Sequence, residues 1–376
     1  MSCCPAFIDL PEEEQIIELR KYLKTTGAEI SEENSGGEWI TDLMQVIDAT
    51  ETCWKSADEA QVEGFFTSVL SLVFIVPTAK IDEVVLSLCE KVVKGGDKMK
   101  ELRLRILNNL YNGVDERSPV RYNVYCAMVK LAGQTNSVDC INTNLEEVQK
   151  WMKLWNLDTE KRVNLLRRLL EAFLECKQSE TASKAMVELL RSYTEDNASQ
   201  ARDDAHRCIV HHLAQKDMYL VDHLLVLKPI KFLEGELIHD LLTIFVRGSL
   251  HNYMEFCKSN PDYIEKLGLS HELCIEKMRF LTFLSMASDN KEIMFDTMEQ
   301  QLNLTADEVE AFLIDVVRTQ LVQASIDQIQ RKIVIRWSQH RTFGRQQWQQ
   351  LRDMLERWRE NLGTVRNNLQ QLTPAS

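Results

Sequence analysis

The stretch HRCIVHH, residues 206 to 212, places His206, Cys208, His211 and His212 within seven residues of one another. Cys208 and His212 are four apart, so a helix sets both on one face at a workable bidentate spacing for zinc. A structural zinc site takes four ligands, and no second pair with matching spacing lies nearby in the sequence. A helix surface rich in histidine is therefore the expected reading, and no metal is assigned. Other chemistries find less support. The chain has no GxxxxGK[ST] phosphate loop, no GxGxxG turn and no GxSxG elbow, and HELCI at His271 departs from HExxH. Carboxylates are plentiful, but on amphipathic helices they form ordinary solvated faces. The sequence predicts neither an enzyme nor a bound cofactor, and its function is expected to lie in surfaces that other macromolecules touch.

Two such surfaces can be read. Trp348, Leu351, Leu355, Trp358, Leu362, Val365, Leu369 and Leu372 are spaced 3, 4, 3, 4, 3, 4, 3, an unbroken a/d seam. Gly363 inside it costs about 1 kcal/mol of helix propensity relative to Ala. A helix covering its own core usually shows a wider, less regular stripe, so this strict seam predicts a bundle with helices of other chains.

The second surface is LVQASIDQIQRKIVIRWSQHRTF, residues 321 to 343. Ile333, Ile335 and Trp337 alternate with Val334 and Arg336, the period-two signature of a strand, opposite VQASI across the turn DQIQ. The order helix, strand, helix, helix, hairpin from residue 277 is that of a winged helix. Ile326, Ile333, Ile335 and Trp337 are the apolar residues expected at a contact through this wing. Behind them Arg331, Lys332, Arg336, Arg341 and Arg345 gather with no acidic residue among them. These cations suit RNA phosphates, an acidic protein partner, or simply a solvated strand face. The helix before the wing, residues 306 to 319, carries Asp307, Glu308, Glu310 and Asp315 against Arg318. The phosphate backbone would repel such a helix, so groove reading of DNA is not expected.

Helices must position both surfaces. Seven Pro and thirteen Gly in 376 residues favour long helices over turn-rich β folds. In TASKAMVELLRSY, Ala182, Ala185, Met186, Leu189, Leu190 and Tyr193 form one helical stripe, and KRVNLLRRLLEAFLEC before it repeats the pattern with Val163, Leu166, Leu170 and Phe173. Similar helix pairs are expected at about residues 100 to 135 and 197 to 226. Thr305 and Glu308 stand at capping-box spacing. The fold expected is mainly α: stacked helical hairpins (an α-solenoid) leading into a winged-helix module with a small β-hairpin wing, then a long C-terminal heptad helix. The corresponding divisions are 1–200, 201–343 (helical 201–276, winged helix 277–343) and 344–376. Of the net charge of −13, residues 1 to 60 supply −10, from fourteen acidic and four basic residues. That balance disfavours non-specific attraction to phosphate. Ten cysteines without a CxxC pair, behind a start lacking a basic, apolar leader, suggest free thiols in a reducing compartment. The apolar run Phe65 to Val76 is too short for a bilayer span of roughly 20 residues and is expected to be a buried helix.

This layout resembles that of PCI-domain proteins, which are non-catalytic subunits of the proteasome lid, the COP9 signalosome and eukaryotic translation initiation factor 3. The blocks MVELLRSYTEDNASQARDDAHRCIV (186 to 210), LKPIKFLEGELIHDLLTIFV (227 to 246) and HRTFGRQQWQQL (340 to 351) resemble the subunit M family of translation initiation factor 3, as does the opening PAFIDL through TTGAEISEENS. The resemblance implies a PCI domain over 201–343 and a cytoplasmic scaffold without cofactors. It also implies winged helices of neighbouring subunits meeting edge to edge, and C-terminal helices of PCI and MPN subunits gathering into one bundle. The partners it implies are other initiation-factor subunits and, through the complex, the small ribosomal subunit, with no membrane and no DNA.

Overall fold

The structure, a computed structural model, describes residues 10–35, 37–55, 58–95, 98–193 and 201–372, without the side chains of Lys55, Ala306, Gln371 and Leu372. Parts of the opening block and of the block at 186 to 210 lie outside the described residues. The chain divides into two compact units after Tyr193.

Unit 1 is a run of helices: α1 Glu12–Thr25, α2 Trp39–Ala49, α3 Glu59–Val73, α4 Ile81–Lys94, α5 Lys100–Gly113, α6 Val120–Gln134, α7 Leu145–Leu154, α8 Thr159–Glu175 and α9 Ser179–Ser192. The expected helix pairs at 100 to 135 and at 161 to 193 are α5 with α6 and α8 with α9. In α8, Leu165, Leu166, Leu169, Leu170 and Phe173 are buried; in α9, Ala182, Ala185, Met186, Leu189 and Leu190 are. A common terminator makes the turns compact. Gly27, Asn136, Asn156 and Lys177 adopt positive φ just past a helix end, and the next residue's N–H bonds back five residues, as from Gln178 to the Phe173 carbonyl at 2.9 Å. This left-handed closure satisfies carbonyls the helix leaves open. The run at Phe65 to Val76 supplies most of α3's buried face, and the helix stops ahead of Pro77. Gly133 sets the approach of α6 to α8, since a Cβ there would lie 3.0 Å from the Ala172 Cα. Arg20 and Asp42, both fully buried, pair at 2.7 Å between α1 and α2.

The first α-helix described in unit 2 is α10 Arg202–Ala214. The expected second helix of that pair does not form among the described residues, where a 3-10 turn at Asp222–Val226 and a single turn, α11 Lys228–Lys231, follow α10. MYLVD offers no helical stripe, and Pro229 serves at the start of α11, where its missing N–H is not needed. Next come α12 Leu237–Arg247, α13 Leu250–Ser259, α14 Tyr263–Lys266 and α15 His271–Asp289. The winged helix consists of β1 Glu292–Met294, α16 Phe295–Leu302, α17 Ala306–Arg318, β2 Val322–Asp327 and β3 Lys332–Ser338. Its sheet is antiparallel in the order β1-β3-β2, so β3 is central and β2 is an edge. Phe283, Leu284, Ile293, Met298, Leu302, Val309, Leu313, Val316 and Val322 make its core. The capping box forms as the spacing predicts, with the Thr305 N–H donating to the Glu308 carboxylate at 2.9 Å. The last helix, α18 Arg345–Leu372, runs through Gly363 without a break and is about 42 Å long at 1.5 Å per residue.

Cations close several helix ends in both units. Arg103 donates to the Val92 and Val93 carbonyls of α4, and Arg279 to the Leu302 and Asn303 carbonyls at the end of α16. Buried Lys277 donates to the His212 and Gln215 carbonyls, each at 2.8 Å, at the end of α10. A positive side chain both satisfies these carbonyls and complements the negative end of the helix dipole.

Candidate functional site

The heptad residues occupy α18 as the spacing requires. Trp348, Leu351, Leu355, Trp358, Leu362, Val365 and Leu369 are 37% to 69% exposed. The side chain of Leu372 lies outside the described residues. A helix that covered its own core would bury this line, as α8 buries Leu165, Leu166, Leu169 and Leu170; α18 leaves it in water. Two contacts join this helix to the wing. Phe343 packs edge-on against Trp348 with ring centroids 4.9 Å apart, and the Gly344 N–H donates to Gln347 at 3.0 Å.

The wing departs from its simple alternation. Ile333 and Ile335 face the core, 0% and 9% exposed, so neither is available to a partner. Both faces of β3 are set by its central position. Trp337 has the same parity, yet it is 49% exposed. The cause is a bulge: Gln323 opposes Trp337 and Ala324 opposes Ile335, leaving Arg336 as the extra residue and reversing the side on which Trp337 emerges. Ile326, on edge strand β2, is exposed as expected. It joins Ala324 and the Leu313, Ile314 and Val317 side chains of α17 around an apolar groove of about 400 Å3. The sequence singles out the cap and the acids of α17 but not Ile314 and Val317. They lie one turn apart and off the stripe of Val309, Leu313 and Val316, and that second apolar line is the signal that could have revealed them.

The basic fringe is largely spoken for. Arg331 pairs with Glu299 at 3.2 Å, and Lys332 with Glu292 at 3.2 Å across the β1–β3 pair. Arg341 is buried; its guanidinium donates to the carbonyls of Gly248 at 2.7 Å, Ile244 at 3.0 Å and Phe245 at 2.7 Å. It caps the C-terminus of α12 and is not a surface cation, and burial lowers its pKa to about 10. Arg336 and Arg345 remain solvent-facing with no side-chain partner among the described residues. The histidine cluster is similarly absorbed. Cys208 and His212 are buried, and the His212 Nδ1 lies 2.8 Å from the Cys208 carbonyl. Among the described residues no group of three or more His, Cys, Asp or Glu is placed to hold a metal ion. Nor is any helix among them long and apolar enough to cross a membrane.

The geometry of wing and terminal helix has counterparts in known families. Residues 256–337 match the PCI domain, and residues 341–367 match the C-terminal helix of eIF3 subunit M. Over 373 residues the chain is 55% identical to eukaryotic translation initiation factor 3 subunit M of Danio rerio, covering 99% of both chains. It is also 55% identical to the Homo sapiens protein of that name over 370 residues, 98% of this chain and 99% of the relative. The Xenopus laevis protein is equally similar over 372 residues. The chain belongs to the subunit M family of eukaryotic translation initiation factor 3. The PCI match runs from α13 through the winged helix to Trp337. The subunit M terminal-helix match begins at Arg341, the residue that caps α12, and takes in the seam from Trp348 to Val365.

Proposed function

We propose that this chain is a non-catalytic scaffold subunit of translation initiation factor 3. It joins neighbouring PCI and MPN subunits in the cytoplasm and supports recruitment of the complex to the small ribosomal subunit. In this reading residues 201–343 act as the PCI module and residues 344–376 as the bundle helix. The observation that carries it is the unburied heptad seam of α18, whose Trp and Leu side chains suit the a and d positions of a helical bundle. The edge of β2 supplies the second joint. Its unpaired N–H and C=O groups suit the strand of another subunit, with Ile326 and the groove beside it receiving apolar side chains. An RNA contact at the wing would rest on Arg336 and Arg345, a thin footing for phosphate binding.

Removal of residues 344–376 tests the reading. The truncated chain is expected to keep its helical circular dichroism and to lose co-purification with the other initiation-factor subunits. Normal assembly of the truncated chain would refute the bundle.

A further inference from the structure

Away from the wing edge and α18, unit 2 holds a cleft of about 470 Å3 between the segment after α10, the N-terminal half of α15 and the outer face of α17. Aromatic rings form its floor. Tyr219 lies over the buried Phe280 with centroids 4.0 Å apart, and Phe312 flanks them. Four carboxylates, Asp217, Glu276, Glu308 and Asp315, stand at the exposed rim. Two of the three cations in the wall are committed elsewhere: Lys277 to carbonyls ending α10, and Arg279 to carbonyls ending α16. Glu308 serves the cap of α17, and Asp315 pairs with Arg318 on the surface at 3.2 Å. Asp217 and Glu276 have no hydrogen-bonded or ion-paired side-chain partner among the described residues. Both carboxylates, with Asp315, act on the Tyr219 phenol, whose pKa is raised by burial first and then by these charges.

A half-buried tyrosine ring beside two carboxylates that make no hydrogen bond or ion pair among the described residues suits a cation that is planar and able to hydrogen-bond in pairs. A guanidinium stacks on such rings and forks onto a carboxylate, whereas an ammonium does only part of this. Phosphate-bearing ligands meet repulsion at the rim. We propose that this cleft takes an arginine-bearing segment of a protein partner, the guanidinium lying over Tyr219 and pairing with Asp217 and Glu276. The assembly contacts of the wing and α18 are independent of it.

The test uses the full chain and a fluorescein-labelled peptide of alternating Arg and Gly, with its Lys-Gly counterpart, read by fluorescence anisotropy. The Arg peptide is expected to bind saturably and more tightly than the Lys peptide. Asp217→Asn with Glu276→Gln should weaken the Arg peptide by about tenfold or more, a change of about 1.4 kcal/mol. Tyr219→Leu, which keeps an apolar floor, should remove the preference for Arg. Glu13→Gln with Glu14→Gln, two exposed acids on α1, makes the same charge change elsewhere and should leave binding unaltered. Thermal unfolding confirms that each variant is folded. Three results would overturn the proposal: no saturable binding of the Arg peptide, an equal loss in the α1 control, or equal binding of the two peptides by the native chain.

Discussion

Trp358→Ala separates a seam that holds other chains from one that holds its own fold. Trp358 is 63% exposed, so its indole contributes little packing to this chain. Burying the exposed part in a bundle would remove roughly 150 Å2 from water, about 4 kcal/mol at ~25 cal/mol/Å2. Ordering the side chain and imperfect pairing around it offset about 1–1.5 kcal/mol, leaving a loss of about 2–3 kcal/mol on truncation. Capture of the other initiation-factor subunits by a tagged chain should then weaken about 30- to 150-fold in a titrated pull-down. The melting temperature of the isolated subunit should not move. Leu284→Ala is the contrast: that side chain is 0% exposed in the winged-helix core, and its loss costs about 2–5 kcal/mol of folding stability. Unchanged capture by Trp358→Ala, or a melting temperature lowered as in Leu284→Ala, would refute the assignment of the seam to partners.

Three further outcomes are expected. Arg341→Ala should destabilise the fold by about 2–3 kcal/mol, because it strands the carbonyls ending α12, while Arg336→Ala should leave the melting temperature unaltered. Burial lowers the His212 pKa to about 4, so the unfolded chain binds a proton there, near pH 6.5, that the folded chain excludes. Stability from this group is complete above about pH 6.5 and declines as pH falls towards about 4; His212→Gln should flatten the fall in melting temperature between pH 7.5 and 5. Gly113→Ala places a Cβ 2.1 Å from the Phe74 ring, and a loss of about 1–3 kcal/mol should appear in chemical denaturation.

What could be read in the sequence was what depends on neighbours along the chain. The a/d spacing of α18 and the box of Thr305 and Glu308 are local patterns, and each forms; the alternation of β3 holds only as far as Ile335. The misread residues depend on partners far away. Arg341 joins its neighbours in the wing sequence to look like surface charge, but the carbonyls it caps lie in and just after α12, more than ninety residues earlier. Arg331 and Lys332 look unopposed because their carboxylates, Glu299 and Glu292, belong to α16 and β1. A single-residue bulge opposite Gln323 was enough to turn Trp337 outward, since strand parity carries no memory across an inserted residue.

The undefended edge of β2 bears on the same question from another side. Sheet edges in solitary proteins are blunted by Lys, Pro, inward charges or a covering helix, because an open ladder recruits other strands. In VQASID the sole charge is Asp327, at the end beside the turn, and neither Lys nor Pro is present. Alongside it α17 contributes Ile314 and Val317, 53% and 40% exposed, instead of the charges that fill the rest of its outer face. A bulge on β2 would twist the edge away, but here the extra residue lies on β3 and β2 is continuous. Retaining such an edge in a solitary chain invites indiscriminate pairing. Its retention is consistent with a strand that is covered in the assembly, and the exposed seam of α18 carries the same implication by a separate physical route: apolar side chains at heptad spacing on a helix of 28 residues.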